Sequence, residues 1–207
     1  AWFPEPARAA ADAGAQLIVC INASPFHLGK SAEREEAMRA RVRETGLPLV
    51  YSHLVGGQDE VVFEGASFAL NADGSIAMRA PAFEELLAQV DVTVNGDAAI
   101  RLSGALAPVL SWEGEMWAAL VTGVRDYVGK NGFPGVLLGL SGGIDSALVL
   151  AIAVDALGAE KVRTVMMPSP YTADISWIDA REMAARLNVQ DEEISIAPQF
   201  EAFKAAL

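Results

Sequence analysis

The sharpest chemistry in the sequence lies in Ser141-Gly-Gly-Ile-Asp-Ser146, between the apolar run Val136 to Leu140 and a helical pattern from Ser146 to Leu157. Gly142 and Gly143 can take positive φ and carry no side chain. Successive backbone N–H groups can therefore converge on an anion at the positive end of the helix dipole. Ser141 and Ser146 add hydroxyl donors, and together these features describe a phosphate cradle. The loop is shorter than G-x-x-x-x-G-K-[ST] and lacks its lysine, which sets it apart from the kinase and GTPase loops. Asp145 stands at the helix start instead. A carboxylate beside phosphates repels them unless a divalent cation lies between, so Asp145 reads as a Mg²⁺ ligand. A Gly-Gly turn with Asp145 and Ser146 as ordinary helix caps uses the same residue types. The placement after a strand and before a helix favours phosphate.

Other reactive residue types carry less. Cys20 lies in the apolar run Leu17 to Ile21 without a neighbouring His, Lys or Arg to lower its pKa, which favours a small buried hydrophobe over a nucleophile. His27 and His53 lack companions at metal-ligand spacing and read as structural histidines. Trp112, Trp117 and Trp177 fit core packing better than partner surfaces.

The elements that position these residues follow from apolar periodicity and punctuation. Pro4 and Pro6 precede a helix over Ala7 to Ala13, and Leu17 to Ile21 reads as a buried strand. Ser31 is placed to cap a helix from Ala32 to Glu44, in which Glu35 and Arg39 are spaced for an ion pair. Leu49 to Val55 is a strand, Gly56-Gly57 a turn, and Val61 to Leu70 strand-like. Asn71 to Gly74 then turns the chain into Ser75 to Arg79. Asp91 to Val94 and an Asn95-Gly96 turn close this half, and Ala98 to Pro108 reads as a less regular connector. A helix follows over Trp112 to Lys130. Strands at Val136 to Leu140, Val162 to Met167 and Ile194 to Ala197 then alternate with helices at Ser146 to Leu157 and Ser176 to Leu187, and Glu201 to Leu207 is again helical. Alternation of this kind predicts a doubly wound parallel sheet with ligands at the carboxyl ends of its strands.

Composition limits the function classes. The 207 residues carry a net charge of −12, with 52% hydrophobic and 20% charged residues, which excludes disordered and fibrous classes. Before Pro108 there are 8 basic and 14 acidic residues, and from it onward 7 and 13, so each half carries −6. Neither nucleic acid nor an anionic membrane surface is an expected partner. A small anion bound by amides and a metal remains open. One cysteine makes no internal disulfide, and no apolar run reaches the ~20 residues that span a bilayer. The expectation is a cytoplasmic protein. A start at Ala1 and an end within a helical stretch suggest that both ends are cuts.

Ser141 to Ser146 resembles the S-G-G-x-D-S signature of the N-type ATP pyrophosphatases. Its flanks, Asp126 to Gly135, Leu138 to Leu140, Asp155 to Gly158 and Met167 to Thr172, resemble the synthetase domain of the glutamine-dependent NAD⁺ synthetases. The segments Trp2 to Arg8, Gly14 to Gln16, Asn22 to Lys30, Arg39 to Arg41, Glu44 to Pro48, Val55 to Glu60 and Phe63 to Phe68 resemble the nitrilase-type glutaminase domain of the same enzymes. The resemblance implies the C-terminal part of a nitrilase-like αββα layered domain over 1–97, a linker over 98–111, and the start of a Rossmann-like, adenine nucleotide alpha-hydrolase-like domain over 112–207.

The same resemblance assigns residues. ATP phosphates would lie on Gly139, Leu140, Ser141, Gly142, Gly143, Ile144, Asp145 and Ser146, with Asp145 on Mg²⁺ and the Met167-Pro168 strand end beside the adenine. Glutamine would contact Ser24 as a hydrogen-bonding group and Lys30 as a carboxylate partner. His53 stands where the family pattern leads one to expect Asn. Such amidases use Glu, Lys and a nucleophilic Cys in that order. The Cys is expected just upstream of Ala1, so no catalytic residue falls in this chain. The implied activity is ATP-dependent amidation of deamido-NAD⁺ through an adenylated carboxylate, in a homo-oligomer. GMP and asparagine synthetases share the loop but carry other glutaminase folds. A further alternative is a catalytically silent nucleotide-binding fragment.

Overall fold

The computed structural model describes residues 5–94 and 99–207. The Pro4 helix start, the Asn95-Gly96 turn and the expected boundary between 97 and 98 lie outside them. The chain divides into two compact units, one up to Ala119 and one from Leu120. The helix α3 (Trp112–Lys130), at its expected bounds, contributes to both.

The first unit opens with α1 (Pro6–Asp12), β1 (Ile18–Asn22), α2 (Lys30–Thr45) and β2 (Leu49–His53). There follow β3 (Val55–Gln58), β4 (Val61–Glu64), β5 (Phe68–Leu70) and β6 (Ile76–Arg79). One sheet has the order β1-β2-β5-β6, with β1 and β2 parallel and the other pairs antiparallel. Side chains alternate across it as strand geometry requires. Val42 of α2 packs with Leu49, Tyr51, Phe68 and Leu70 on one face, while Ala69, Met78 and Leu102 cluster on the other with Val50. Cys20 is half-buried against the α2-side cluster, and burial pushes its thiol pKa up, the opposite of an activated nucleophile.

Several expectations are corrected. Within this chain β1 stands first in its sheet's strand order, with Val19 and Ile21 62% and 88% exposed. Gly56 and Gly57 are not a turn but lie inside β3, paired with Phe63 and Val62. The turn falls on Asp59-Glu60, where Asp59 takes the left-handed φ of 51°. The expected linker also contains structure. Ile100 and Leu102 alternate inward on β8 (Ile100–Gly104), which pairs antiparallel with β7 (Val90–Val94), and Leu102 is 1% exposed. Beyond it, the Arg79 N–H donates to the Ala105 carbonyl and Ala107 N–H to that of Arg79.

Ser31 does not cap α2, whose N-cap is Gly29 and lacks a side-chain cap bond. Its hydroxyl instead donates to Glu64 Oε1 at 3.3 Å. Glu64 is 1% exposed, and Arg34 on the inward face of α2 pairs with it through Nη1 and, at 3.4 Å, through Nη2. Arg34, Met38 and Val42 share one helical face at i, i+4 and i+8, so a guanidinium takes a position in an otherwise apolar stripe. The expected Glu35–Arg39 pair forms at 3.0 Å, and Glu35 also binds Arg79 at 2.9 Å.

The second unit contains β9 (Val136–Gly139), α4 (Ile144–Leu157), β10 (Val162–Met166), α5 (Asp174–Arg186), β11 (Gln190–Glu193) and α6 (Ala197–Ala206). The strands form a parallel sheet in the order β11-β10-β9. Leu150 and Ala153 of α4 and Ala180 and Ala184 of α5 join Val162 and Met166 in one core cluster, with Trp177 packed against it. The third strand is not Ile194 to Ala197 but the acidic stretch before it. An edge strand tolerates charge, and Asp191 is tied inward by the Thr164 hydroxyl at 2.7 Å. Among the described residues no helix is long and apolar enough to cross a membrane.

Arg34→Ala leaves Glu64 charged, buried and unpaired, which costs about 3–5 kcal/mol. The denaturant midpoint of the first unit should fall accordingly. Arg34→Met combined with Glu64→Leu should recover most of the loss.

Candidate functional site

The loop after β9 forms as a strand-to-helix turn. Leu140 is 2% exposed and its N–H donates to the Val165 carbonyl at 3.0 Å, which anchors the loop's first end. Gly142 has φ 78°, and a Cβ there would overlap the backbone carbonyl of Ser176 in the first turn of α5. Two backbones approach so closely at this point that only glycine fits.

Helix α4 begins at Ile144, earlier than the expected Ser146, with extended Gly143 as its N-cap and no side-chain cap bond. Neither Asp145 nor Ser146 is therefore a cap. Ser146 Oγ donates back to the Gly143 carbonyl at 2.9 Å and lies 3.1 Å from Ser141 Oγ, which accepts the Gly143 N–H at 3.2 Å. The two serines hold the loop closed. The amides of Ile144, Asp145 and Ser146 lie in the first helical turn and have no intrahelical acceptor. They sit at the positive end of the α4 dipole. Ile144 is 81% exposed, so its contribution to the loop is its amide.

Asp145 is exposed in that first turn. Among the described residues no group of three or more His, Cys, Asp or Glu side chains could enclose a metal ion. The carboxylate is nevertheless the hard oxygen donor that Mg²⁺ takes, and Mg²⁺ is commonly shared between one or two carboxylates and phosphate oxygens. A groove of about 350 Å³ beside the loop is lined by Gly142, Gly143 and Ile144 and by Asp179 and Arg186 of α5. Met167, one residue past β10, is 54% exposed.

In the first unit, Ser24 follows β1 at the carboxyl end of the parallel pair β1 and β2, and Lys30 opens α2. Lys30 Nζ lies 3.0 Å from Glu33 Oε2, one turn along α2. That contact lowers the Glu33 pKa, and an incoming carboxylate would compete with Glu33 for the ammonium. Between the two residues, Phe26 N–H donates to the Val62 carbonyl at 2.7 Å, and its ring meets Phe83 edge-on at 5.4 Å.

His53 is the residue whose role the sequence left open. It ends β2, is 7% exposed, and stacks on Tyr51 with ring centroids 5.9 Å apart. Its Nδ1 lies 3.1 Å from the Gly65 carbonyl oxygen, and its Nε2 lies 3.2 Å from the Ser24 amide nitrogen and 3.1 Å from the Ser24 carbonyl oxygen. With its proton on Nδ1, the neutral ring donates to the Gly65 carbonyl and accepts the Ser24 N–H, while a proton on Nε2 would be donated to the Ser24 carbonyl. Burial, and then the nearby Arg34 charge, pull its pKa down against the hydrogen bonds to Ser24 and Gly65, so the ring is held neutral. Arg34 and Glu64 also escaped sequence reading. The available signal was a charged residue in the inward stripe of α2.

Residues 1–101 match the carbon-nitrogen hydrolase family and residues 116–207 the NAD synthase family. The glutamine-dependent NAD(+) synthetase of Rhodobacter capsulatus is 48% identical over 209 residues, covering 100% of this chain and 38% of the relative. That of Xylella fastidiosa (strain Temecula1) is 45% identical over 206 residues, again covering 100% and 38%. The chain thus spans 38% of the length of these curated relatives. Among solved structures, the glutamine-dependent NAD+ synthetase of Acinetobacter baumannii in complex with adenosine diphosphate has a TM-score of 0.86 and 41% identity, over 95% of this chain and 37% of its own. The enzyme from Cytophaga hutchinsonii, 20% identical with a TM-score of 0.77, covers 95% of this chain and 38% of its own, and shows the same fold. The fold is therefore a nitrilase-like segment followed by the start of a Rossmann-like domain.

His53 gives a pH prediction. Its folded pKa lies below the unfolded value of about 6.5. Its contribution to stability is therefore present above that pH and is lost as pH falls through the folded pKa. His53→Asn removes the titration, so its stability, measured by denaturant unfolding, should fall less between pH 7 and pH 5 than that of the unmodified chain.

Proposed function

We propose that this chain, homologous along its whole length to glutamine-dependent NAD(+) synthetases and joining carbon-nitrogen hydrolase and NAD synthase segments, serves an enzyme that amidates deamido-NAD⁺ with ammonia drawn from glutamine. In this reading residues 1–97 belong to the glutaminase domain and 112–207 to the synthetase domain, with a connection over 98–111. The nucleophilic Cys of the glutaminase lies upstream of Ala1. The substrates are glutamine, ATP and deamido-NAD⁺.

The observation that carries the synthetase half is the uncapped start of α4 behind Gly142-Gly143, at the carboxyl end of a parallel strand. Amides of Ile144, Asp145 and Ser146 donate to the ATP phosphates, Gly142 and Gly143 let the phosphates approach the main chain, and the hydroxyls of Ser141 and Ser146 turn from each other to phosphate oxygens when ATP binds. Gly139 and Leu140 carry the loop to that position. A Mg²⁺ ion held here would supply neutralisation of the charge that builds on departing pyrophosphate. Asp145 is its ligand on this chain. The amides are fixed before reaction, so they stabilise the leaving group without reorganising, while the substrate carboxylate displaces pyrophosphate from the α-phosphorus to form the acyl adenylate, from which ammonia then displaces AMP to leave the amide.

Ser24 and Lys30 form the glutamine side, with the ammonium directed to the substrate carboxylate. The acyl-acceptor alternatives fit less well, because the segments from Ser24 to Lys30 and Gly56 to Glu60 match a nitrilase-type partner.

In the full-length protein, Asp145→Ala should weaken Mg-ATP binding about tenfold or more, as measured by calorimetry. This corresponds to losing at least ~1.4 kcal/mol of interaction. Unchanged affinity would return the residue to an ordinary first-turn acid. Turnover of xanthosine monophosphate or aspartate in place of deamido-NAD⁺ would overturn the acceptor assignment.

A further inference from the structure

The peptide of Ser24 is gripped from both sides by buried groups. His53 Nε2 lies against both polar groups of Ser24, 3.2 Å from its amide nitrogen and 3.1 Å from its carbonyl oxygen, while Nδ1 of the same ring meets the carbonyl of Gly65. On the other side Arg34 Nη2 donates to the Ser24 carbonyl at 3.2 Å, and the rest of that guanidinium is fixed by the Glu64 carboxylate. Ser31, next to Lys30, joins the same carboxylate. One buried polar cluster therefore ties down both ends of the segment from Ser24 to Lys30. It draws on the end of β2, the start of α2 and the end of β4.

From this geometry we infer that His53 is a positioning residue for the glutamine subsite. It fixes the Ser24 peptide so that the serine side chain is presented in one orientation. The inference rests on the reading of Ser24 and Lys30 as glutamine contacts. The ring suits the task because a neutral imidazole offers one donor and one acceptor on opposite edges, and here each meets a main-chain group. A hydrophobic residue would leave the Ser24 N–H and the Gly65 carbonyl unpaired in the interior. A carboxamide also offers both a donor and an acceptor, so Asn is the conservative substitute.

The test uses the full-length protein, with deamido-NAD⁺ amidation driven either by glutamine or by ammonium salt. His53→Ala should raise KM for glutamine about tenfold, with kcat changed less than about threefold and the ammonia-driven rate kept. His53→Asn should restore KM to within about threefold of the parent value. His53→Phe keeps a ring against Tyr51 but lacks both hydrogen bonds, and should behave as the alanine variant does; it decides the matter if His53→Ala fails to fold. Equal losses in the glutamine-driven and ammonia-driven rates, or an Asn variant as impaired as Ala, would reduce His53 to a structural residue and overturn the inference. Ser24→Ala and Lys30→Ala separate the two readings. If neither raises KM for glutamine, the subsite assignment itself fails. If both do and the His53 variants do not, only the positioning role fails.

Discussion

A carboxylate inside a protein stays ionised only beside a partner that replaces water, and this constraint organises the first unit. Glu64 ends β4 in the interior, and Arg34 answers it from the inward face of α2. With that pair in place, α2 cannot rotate or slide on the sheet without separating two buried charges. The guanidinium, planar and rich in donors, reaches past the carboxylate to the Ser24 carbonyl. Whatever the Ser24 to Lys30 segment does chemically, its conformation is inherited from this pair and from His53 beside it.

The second unit reaches a comparable result by opposite means. No buried charge holds the loop after β9. Steric exclusion does: Gly142 can touch the Ser176 backbone only because it has no Cβ. The serine hydroxyls complete the turn by bonding to each other and to Gly143. The outcome is a helix start whose amides remain without acceptors, in a place that the sheet has fixed. An unsatisfied amide row of this kind costs free energy when water is excluded, and an anion returns it.

The extent to which the sequence disclosed this differs by element, for physical reasons. Helix α3 and the loop from Ser141 to Ser146 were legible because apolar spacing and glycine pairs act locally. Gly56-Gly57 misled because a glycine pair marks a turn only if the flanking chain does not pair across it. Here both glycines face β4, and Asp59 takes the left-handed position instead. The strand β11 was missed because its residues, Gln190 to Glu193, are polar. Membership of a sheet edge depends on backbone pairing with β10, which composition does not record. The alternation Ile100, Leu102 was a readable signal for β8 but is short. Ser31 looked like a cap, and tertiary structure gave its hydroxyl a better acceptor in Glu64. The roles of Arg34 and His53 depend on residues about thirty positions away, which no local pattern records.

A net charge of −12 is by itself a poor setting for binding phosphates or a substrate carboxylate. The ion pairs show that few basic side chains are left to offset it. Arg34 is paired with Glu64, Arg79 and Arg39 share Glu35, and Lys30 has Glu33, so much of the basic complement near these sites is neutralised within the chain. Phosphate recognition then falls to main-chain amides, whose partial charges are oriented by the fold and are indifferent to net charge. Such a site is sensitive in an unusual place. Surface charge can drift without consequence, whereas a methyl group at Gly142, or loss of the acceptor facing the Ser24 amide, changes the position of the groups that do the binding.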